Sequence, residues 1–381
     1  MKIDLDRLNR AAAVLADVAT ALPFMRYITP SNAASARASF IASYRSGQRS
    51  NPVLEYPRLP AGIDQVLDRA EPLSPTAEPW RELYIGEVAT IRQGHAALRS
   101  RAPMDLTNYS LDQHGSPNNS VVGAARDYLQ GTRSTHAIID DPRWSAESAA
   151  ALLAGVLEQV ELPDWKAEVS THMASRMSVL GSKRRIRVRK DATFLATELR
   201  RLIVHEIVTH AFRQANSQRQ PLRWLAHGII GYLPTEEGLA VWNEEHCKLR
   251  DVRVMRRYAL RYIAAQAALE GDFCAVMDEL TPHTSLDEAF DITLRVKRGL
   301  VDTSDPGGYL KDQVYFGGYK QLAAHLTKRQ QDYELLMATK WPVTRLDILR
   351  ELEGEGLVYE PKYRVDTALR LATELAPDEP E

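Results

Sequence analysis

Only two cysteines, Cys247 and Cys274, occur in 381 residues. Two thiols cannot build a disulfide framework or a four-cysteine zinc site. Long hydrophobic runs are missing as well. Every apolar stretch is broken by charge well before the roughly 18 residues a transmembrane helix needs, so no membrane association is expected. Neither sign of charge is in excess: 48 Lys and Arg meet 50 Asp and Glu, for a formal net charge of -2. A dedicated nucleic-acid binder would carry a strongly basic domain, so nucleic acid is not an expected partner. The start of the chain has no secretory signal, because Asp4, Asp6 and Asp17 interrupt its apolar residues. What remains, 44% hydrophobic and 26% charged residues, is the composition of a soluble globular protein with a reduced, cytoplasmic location. At about 150 residues per domain the length allows two or three compact units.

Periodicity makes most of the chain helical. Leu5, Leu8, Ala12, Leu15 and Val18 recur at helical spacing between Leu5 and Leu22. An irregular region follows, with proline-containing stretches at Pro23–Pro30 and Asn51–Pro60, the second reading as an extended arm rich in Tyr and Pro. Further helices are predicted at Glu82–Arg101, Val121–Gln130 and Ser145–Glu161. After Leu195 they follow at Leu195–Ala215, Thr235–Leu249, Val252–Leu269, Leu286–Arg298, Val314–Leu326 and Asp366–Leu375. The strand signal is Arg185-Ile-Arg-Val-Arg189, which alternates strictly. Gly181-Ser182 marks a turn before it, and Ser175–Leu180 is its candidate hairpin partner. The expected organisation is an N-terminal helix and arm over residues 1–75, a helical subdomain over 76–165, and a catalytic core over 166–381.

One helix carries the chemistry. His205, Glu206 and His210 form H-E-x-x-x-H, one residue longer than the H-E-x-x-H in which two histidines share a helix face and a zinc ion. Five residues on an ideal helix leave the two rings about 140° apart. A widened turn with i→i+5 hydrogen bonds brings them back to one side, so a π-bulge is predicted between His205 and His210. Zinc needs a third protein ligand. Pro234-Thr-Glu-Glu-Gly-Leu-Ala240 follows, with Thr235 as a predicted N-cap and Glu236 and Glu237 in the first turn. One of these acids is the expected third ligand, Glu237 being favoured over Glu236 and over the rivals His227 and His246. The other acid, or Glu244, can accept a hydrogen bond from the outer nitrogen of a ligating histidine. Glu206 can take a proton from a zinc-bound water and return it to a leaving amine. A histidine on an apolar helix face is usually a core residue; the conjunction with Glu206 and an acidic helix start argues otherwise. Hydrolase elbows, phosphate loops and dinucleotide fingerprints are absent.

HEIVTH, then Arg213, Asn216, Gln220-Pro221 and TEEGLA, resembles the family of the microtubule-associated tyrosine carboxypeptidase, whose bacterial members are often labelled flavohaemoglobin expression-modulating proteins with a QEGLP motif. Asn51-Pro52 with Tyr56, Ser110–Pro117, RVKRG at Arg295–Gly299 and KDQVY at Lys311–Tyr315 resemble its landmarks in the same order. The resemblance implies an α+β, mostly α, gluzincin-like zinc metallopeptidase with a small antiparallel sheet beside the HExxxH helix. It implies one zinc ion on His205, His210 and Glu237, and Glu206 as base. Val208 stands where eukaryotic members tend to have Gly.

A carboxypeptidase must hold a terminal carboxylate, for which Arg is best suited. Arg213, three residues beyond His210, is one candidate; a structural salt bridge is its alternative role. Arg295, Arg298 and Lys311 are others, and Tyr315 is a candidate donor to the developing oxyanion. The basic strand Arg185–Arg189 can add main-chain hydrogen bonds to an acidic peptide tail. The expected function is thus a zinc metallocarboxypeptidase acting on a peptide or protein C-terminal tail. Its rivals are an endo- or dipeptide-releasing peptidase that matures a small peptide, and a non-catalytic metal-binding regulator.

Overall fold

The computed structural model describes residues 4–21, 23–59, 68, 75, 78–132, 143–171, 173 and 175–365. In chain order its main helices begin with α1 (Leu5–Ala21), α2 (Ala33–Arg45), α3 (Trp80–Ser100), α4 (Pro103–His114), α5 (Asn119–Gly131) and α6 (Ala146–Gln159). Three strands come next, β1 (Lys166–Ser170), β2 (Met177–Leu180) and β3 (Arg185–Arg189). Then α7 runs in three stretches, Ala196–Leu202, Ile203–Ala211 and Phe212–Gln218, the middle one wound as a π-helix. The remainder is α8 (Tyr232–His246), α9 (Val252–Glu270), α10 (Phe273–Leu280), α11 (Leu286–Lys297), α12 (Val314–Leu326), α13 (Asp332–Ala338) and α14 (Leu346–Gly354). No described helix is long and apolar enough to cross a membrane. The predicted helix at Asp366–Leu375 lies outside the described residues.

Five of these helices, α2, α4, α10, α13 and α14, sit in segments to which the sequence assigned no helix. The α2 segment is rich in Ala and Ser and buries only Phe40 and Ile41, so its apolar periodicity is faint. Helix α4 starts with Pro103 in its first turn, where a missing N–H costs nothing. The side chains of Asn118, Ser145, Asp272 and Ser285 each accept a backbone N–H at a helix start, Ser145 where the sequence placed one.

The chain divides into two compact units that cut across the three consecutive segments expected from the sequence. The first consists of the described residues of Met1–Ser134, with Leu222–Pro234 and Val252–Lys320. Its centre is α9, packed against α5, α10 and α11. Phe40, Phe273 and Phe290 meet there with ring centroids 4.8–5.5 Å apart. The Asn51 arm is extended, as expected. Leu54 N–H donates to Val301 O (2.9 Å), Thr303 Oγ1 to Pro52 O (2.6 Å), and Gly299 N–H to the Tyr56 hydroxyl (2.7 Å). The loop it grips is also held from inside. The Lys297 ammonium, with no exposed surface, donates to the carbonyls of Ala268, Gly271, Asp305 and Gly307. Gly308 fits because a Cβ there would lie 2.1 Å from Val296 O.

The second unit holds the described residues of Thr135–Pro221, with Thr235–Asp251 and Gln321 onward to residue 365. Its sheet has the order β1-β3-β2, with β3 antiparallel to β2 as predicted and parallel to β1. The sheet is therefore mixed rather than purely antiparallel. Ile186 and Val188 are fully buried beneath α6, and the intervening arginines face outward, half-buried. Because β3 is the central strand, both its edges are already paired, so it cannot add a peptide strand. Its arginines are also engaged: Glu168 lies 3.7 and 3.8 Å from Arg185 and Arg187, and Asp191 2.6 Å from Arg189. Strand β2 packs against the π stretch of α7.

In the first unit, His114 is buried with Nε2 3.4 Å from the Tyr309 hydroxyl. Burial, with Lys311 and Arg298 acting the same way, pushes it down to about 3. The unfolded chain therefore takes up this proton first, and the stability it carries is full above about pH 6.5 and lost as pH falls towards 3. Unfolding free energies measured from pH 7 to 4.5 should fall by up to about 1.4 kcal/mol per pH unit below 6.5. His114→Gln should flatten that slope; an unchanged slope would refute the assignment.

Candidate metal centre

The middle of α7 is almost wholly apolar apart from its functional groups. Ile203, Val204, Ile207 and Val208 have no exposed surface. Burial on every side fixes the helix in place, and the register of His205 and His210 is set by the widened turn. The predicted π-bulge is present and spans Ile203–Ala211. The Thr209 hydroxyl donates to the Val204 carbonyl five residues earlier (3.0 Å). It accepts from Asn243 Nδ2 (2.9 Å), and Asn243 Oδ1 accepts from the Tyr333 hydroxyl (2.8 Å). This run of side chains from α8 and α13 braces the turn.

The two imidazoles consequently stand face to edge, with centroids 4.9 Å apart. Glu237 Oε2 lies 3.5 Å from His205 Nε2 and 3.6 Å from His210 Nε2. Among the described residues these three form a cluster whose ligand atoms all lie within 4.8 Å of one another. Glu237, not Glu236, is the acid that joins the histidines. Thr235 is not the N-cap, since α8 starts at Tyr232; its hydroxyl accepts from Val343 N–H instead (2.9 Å).

Both outer imidazole nitrogens are fixed by carboxylates. His205 Nδ1 lies 2.6 Å from Glu244 Oε1, and His210 Nδ1 lies 2.7 Å from Glu236 Oε1. Each carboxylate has its own guanidinium. Arg201, one turn before His205 on α7, donates to Glu244 (2.7 Å). Arg213 donates to Glu236, to Leu336 O (2.9 Å) and to Thr339 O (2.7 Å). Arg213 is fully buried, which is the geometry of the structural salt bridge and not of a solvent-facing carboxylate clamp. Burial alone would raise the Glu236 carboxyl, but Arg213, Lys340 and His210 hold it down to about 2.

The donor set fits a divalent cation. Glu244 is paired with Arg201, and Glu236 with Arg213 and Lys340, which leaves Glu237 facing the two imidazoles. Burial disfavours imidazolium, yet hydrogen bonds to Glu237 and Glu244 raise His205 to about 9, and those to Glu236 and Glu237 raise His210 to about 10. The 3.5 and 3.6 Å gaps to Glu237 are long for such hydrogen bonds. They match the separation of about 3.4 Å between two ligands of one tetrahedral ion held at about 2.1 Å. With each Nδ1–H donated outward to a carboxylate, both Nε2 lone pairs point at the shared position.

The remaining residues named from sequence have other surroundings. Glu206 is buried beside His205 and its charge helps raise that imidazole. His246 is exposed and bonds Trp242 O (2.9 Å), so it is not a ligand; His227 is not in the cluster either. Arg298, Lys311 and Tyr315 belong to the first unit. There Tyr315 stacks on Tyr258 at 4.7 Å, Lys311 sits 5.7 Å from the Tyr315 ring centre, and Arg298 approaches Asp312 at 3.8 Å. Sequence reasoning missed Arg201, Thr209, Asn243 and Tyr333. The four-residue spacing of Arg201 and His205 was a usable signal; nothing in the sequence announces Tyr333.

A family model described as microtubule-associated tyrosine carboxypeptidase matches residues 39–376. Among curated proteins, the MATCAP2 protein of Mus musculus is 34% identical over 161 residues, covering 40% of this chain and 30% of its own length. Microtubule-associated tyrosine carboxypeptidase 1 of Mus musculus is 34% identical over 143 residues, and that of Homo sapiens 34% over 142; each alignment covers 35% of this chain. The chain thus spans only about 30% of the length of the curated relatives it matches.

If the outer carboxylates orient the histidines, Glu244→Gln and Glu236→Gln should each weaken metal binding about 10- to 100-fold. Glu237→Ala should reduce it further. Metal content by native mass spectrometry, with competition by a chelator, measures both; wild-type affinity in the two Gln variants would rule the orienting role out.

Proposed function

Since the chain belongs to the microtubule-associated tyrosine carboxypeptidase family, we propose that it is a zinc-dependent carboxypeptidase that hydrolyses the last peptide bond of a peptide or protein tail. The observation that carries this reading is the convergence of His205 Nε2 and His210 Nε2 on Glu237, with each Nδ1 held by a buried carboxylate. Two imidazoles and one carboxylate are the ligand set of a catalytic zinc site that keeps a position open. The acid ligand comes from a helix beyond the HExxxH motif, which is the gluzincin arrangement implied by the sequence resemblance.

When bound, zinc supplies Lewis acidity, lowering the pKa of water and polarising a substrate carbonyl. Glu206 does the proton work: its carboxylate accepts a proton from the attacking water and returns it to the leaving amine. The fully buried side chains of Ile203, Val204, Ile207 and Val208 on the same helix lower the local dielectric, which strengthens every charge interaction at the site. Glu244 and Glu236 keep the histidines in the ligating tautomer, and Arg201 and Arg213 hold those carboxylates in place by hydrogen bonds.

A regulator that only binds metal has no use for a base beside a ligand, so Glu206 is the decisive residue. Glu206→Gln should retain zinc by native mass spectrometry and lose at least about 100-fold in turnover of a free-acid peptide library. Wild-type protein should cleave peptides with a free C-terminus and spare the same peptides as C-terminal amides. Cleavage of both forms at equal rates would favour an endopeptidase, and full activity in Glu206→Gln would sink the mechanism.

A further inference from the structure

In the second unit, the last turn of α13 ends on carbonyls that helix geometry leaves without partners inside the helix. The Thr339 hydroxyl donates to Leu335 O (3.0 Å). The carbonyls that follow are met by α7 and a residue just past its end. Arg213 donates to Leu336 O and Thr339 O, Asn216 Nδ2 to Met337 O (3.1 Å), and Gln220 Nε2 to Ala338 O (3.1 Å). Spacings of three and four residues put these side chains on one face.

Asn216 and Gln220 also hold a second segment. Beyond α14, residues 357–364 belong to no helix or strand. The Tyr359 N–H donates to Gln220 Oε1 (2.7 Å), and Gln220 Nε2 donates back to Tyr359 O (2.9 Å). The Tyr363 N–H donates to Asn216 Oδ1 (2.9 Å), and Asn216 Nδ2 donates back to Tyr363 O (2.9 Å). A carboxamide nitrogen has two N–H donors. In both residues it bonds α13 on one side and this segment on the other, and the residues are buried, at 1% and 7% exposure. The last turn of α13 and the segment are therefore joined through the same two groups.

The segment's other fastenings are modest. Tyr359 is 50% exposed. Lys362 pairs with Glu161 (3.5 Å) and Arg364 with Glu334 (3.3 Å), both in solvent, where such pairs contribute little. Pro361 is buried, the Tyr363 ring lies 5.4 Å from that of Phe212, and its hydroxyl donates to Glu161 O (3.2 Å). A segment with few buried apolar contacts opens locally at less cost than its unit unfolds.

We propose that residues 357–364 are a releasable strap: docked, it holds α13 against α7 and keeps the metal centre in register, and released, it loosens both. Two routes lead from α13 to the histidines. Tyr333 holds Asn243, which bonds Thr209 in the π-turn. Arg213 reaches from the Leu336 and Thr339 carbonyls to Glu236, which fixes His210. Asn216 and Gln220 are thus positioning residues that act on the histidines through α13. When the strap leaves, both amides lose their bonds to it, water reaches the α13 carbonyls, and the cap on that helix weakens. The effect on metal rests on the zinc reading of the site; the coupling of strap to α13 does not.

The test is hydrogen exchange by mass spectrometry on the full chain without added metal. Tyr359→Pro deletes the N–H that Gln220 accepts, whereas Tyr359→Ala removes the ring and keeps the N–H. The proline variant should speed exchange at least about tenfold in residues 332–338 and 203–211, and the alanine variant should leave both regions as in the wild type. Zinc affinity, measured by chelator competition, should fall at least about fivefold for proline and hold for alanine. Faster exchange confined to residues 357–364 overturns the proposal. Unchanged zinc affinity in a chain with a loosened α13 overturns its link to the metal centre. A chain that takes up no zinc in any form would count against the metal centre itself, and the exchange result would still decide the strap. Should Tyr359→Pro not fold, the wild type answers in rising denaturant: the amides of Tyr359, Tyr363 and α13 should lose protection together. Protection kept by α13 after the strap amides have lost theirs refutes the coupling.

Discussion

Two histidines five residues apart can serve one ion only if the helix that carries them leaves its ordinary period, and the second unit is organised around keeping that single turn open. Nine residues of π-helix, Ile203–Ala211, replace α-helix there. Such a turn is locally unfavourable, so something outside it must hold it. Here the support is the run from Tyr333 through Asn243 to Thr209 and the Val204 carbonyl. Asn243 lies on the same helix as Glu236, Glu237 and Glu244. One helix therefore supplies the acid that faces both histidines, the carboxylates on the outer imidazole nitrogens, and part of the brace on the turn.

The same economy governs charge. Isolated buried carboxylates would be protonated or would destabilise the fold. Glu236 is held low by Arg213, Lys340 and His210, and Glu244 accepts a hydrogen bond from the buried Arg201. Those pairs fix the rotamers of the carboxylates, which in turn fix the rings. The outcome is a chain of constraint from Leu336 O and Thr339 O, through Arg213 and Glu236, to His210. Position and protonation state are thus settled by one network.

The two units differ in how they distribute charge. Around the histidines, Glu236 and Glu244 are each paired with a buried arginine and Glu237 faces the two imidazoles. Around Asp312, three guanidiniums share one buried carboxylate.

Much of this was legible in the sequence, for reasons that are local. The HExxxH spacing demanded a π-turn because rotation per residue is fixed by helix geometry. The alternation of Ile186 and Val188 with arginines placed β3, and Ser145 marked the start of α6. The limits were equally physical. Lys166–Ser170 has little β character of its own, so its parallel pairing with β3 was invisible, and with it the loss of β3 as a free edge. Arg213 could have been a clamp or a brace, and only the positions of the Leu336 and Thr339 carbonyls decide between them. The sequence by itself determined which residues could bind a metal, because ligand type and helical rotation are properties of a short segment. The tertiary structure alone decided which acid faces both histidines, which carboxylates hold the outer imidazole nitrogens and which arginines brace them, because those depend on separate segments meeting in space.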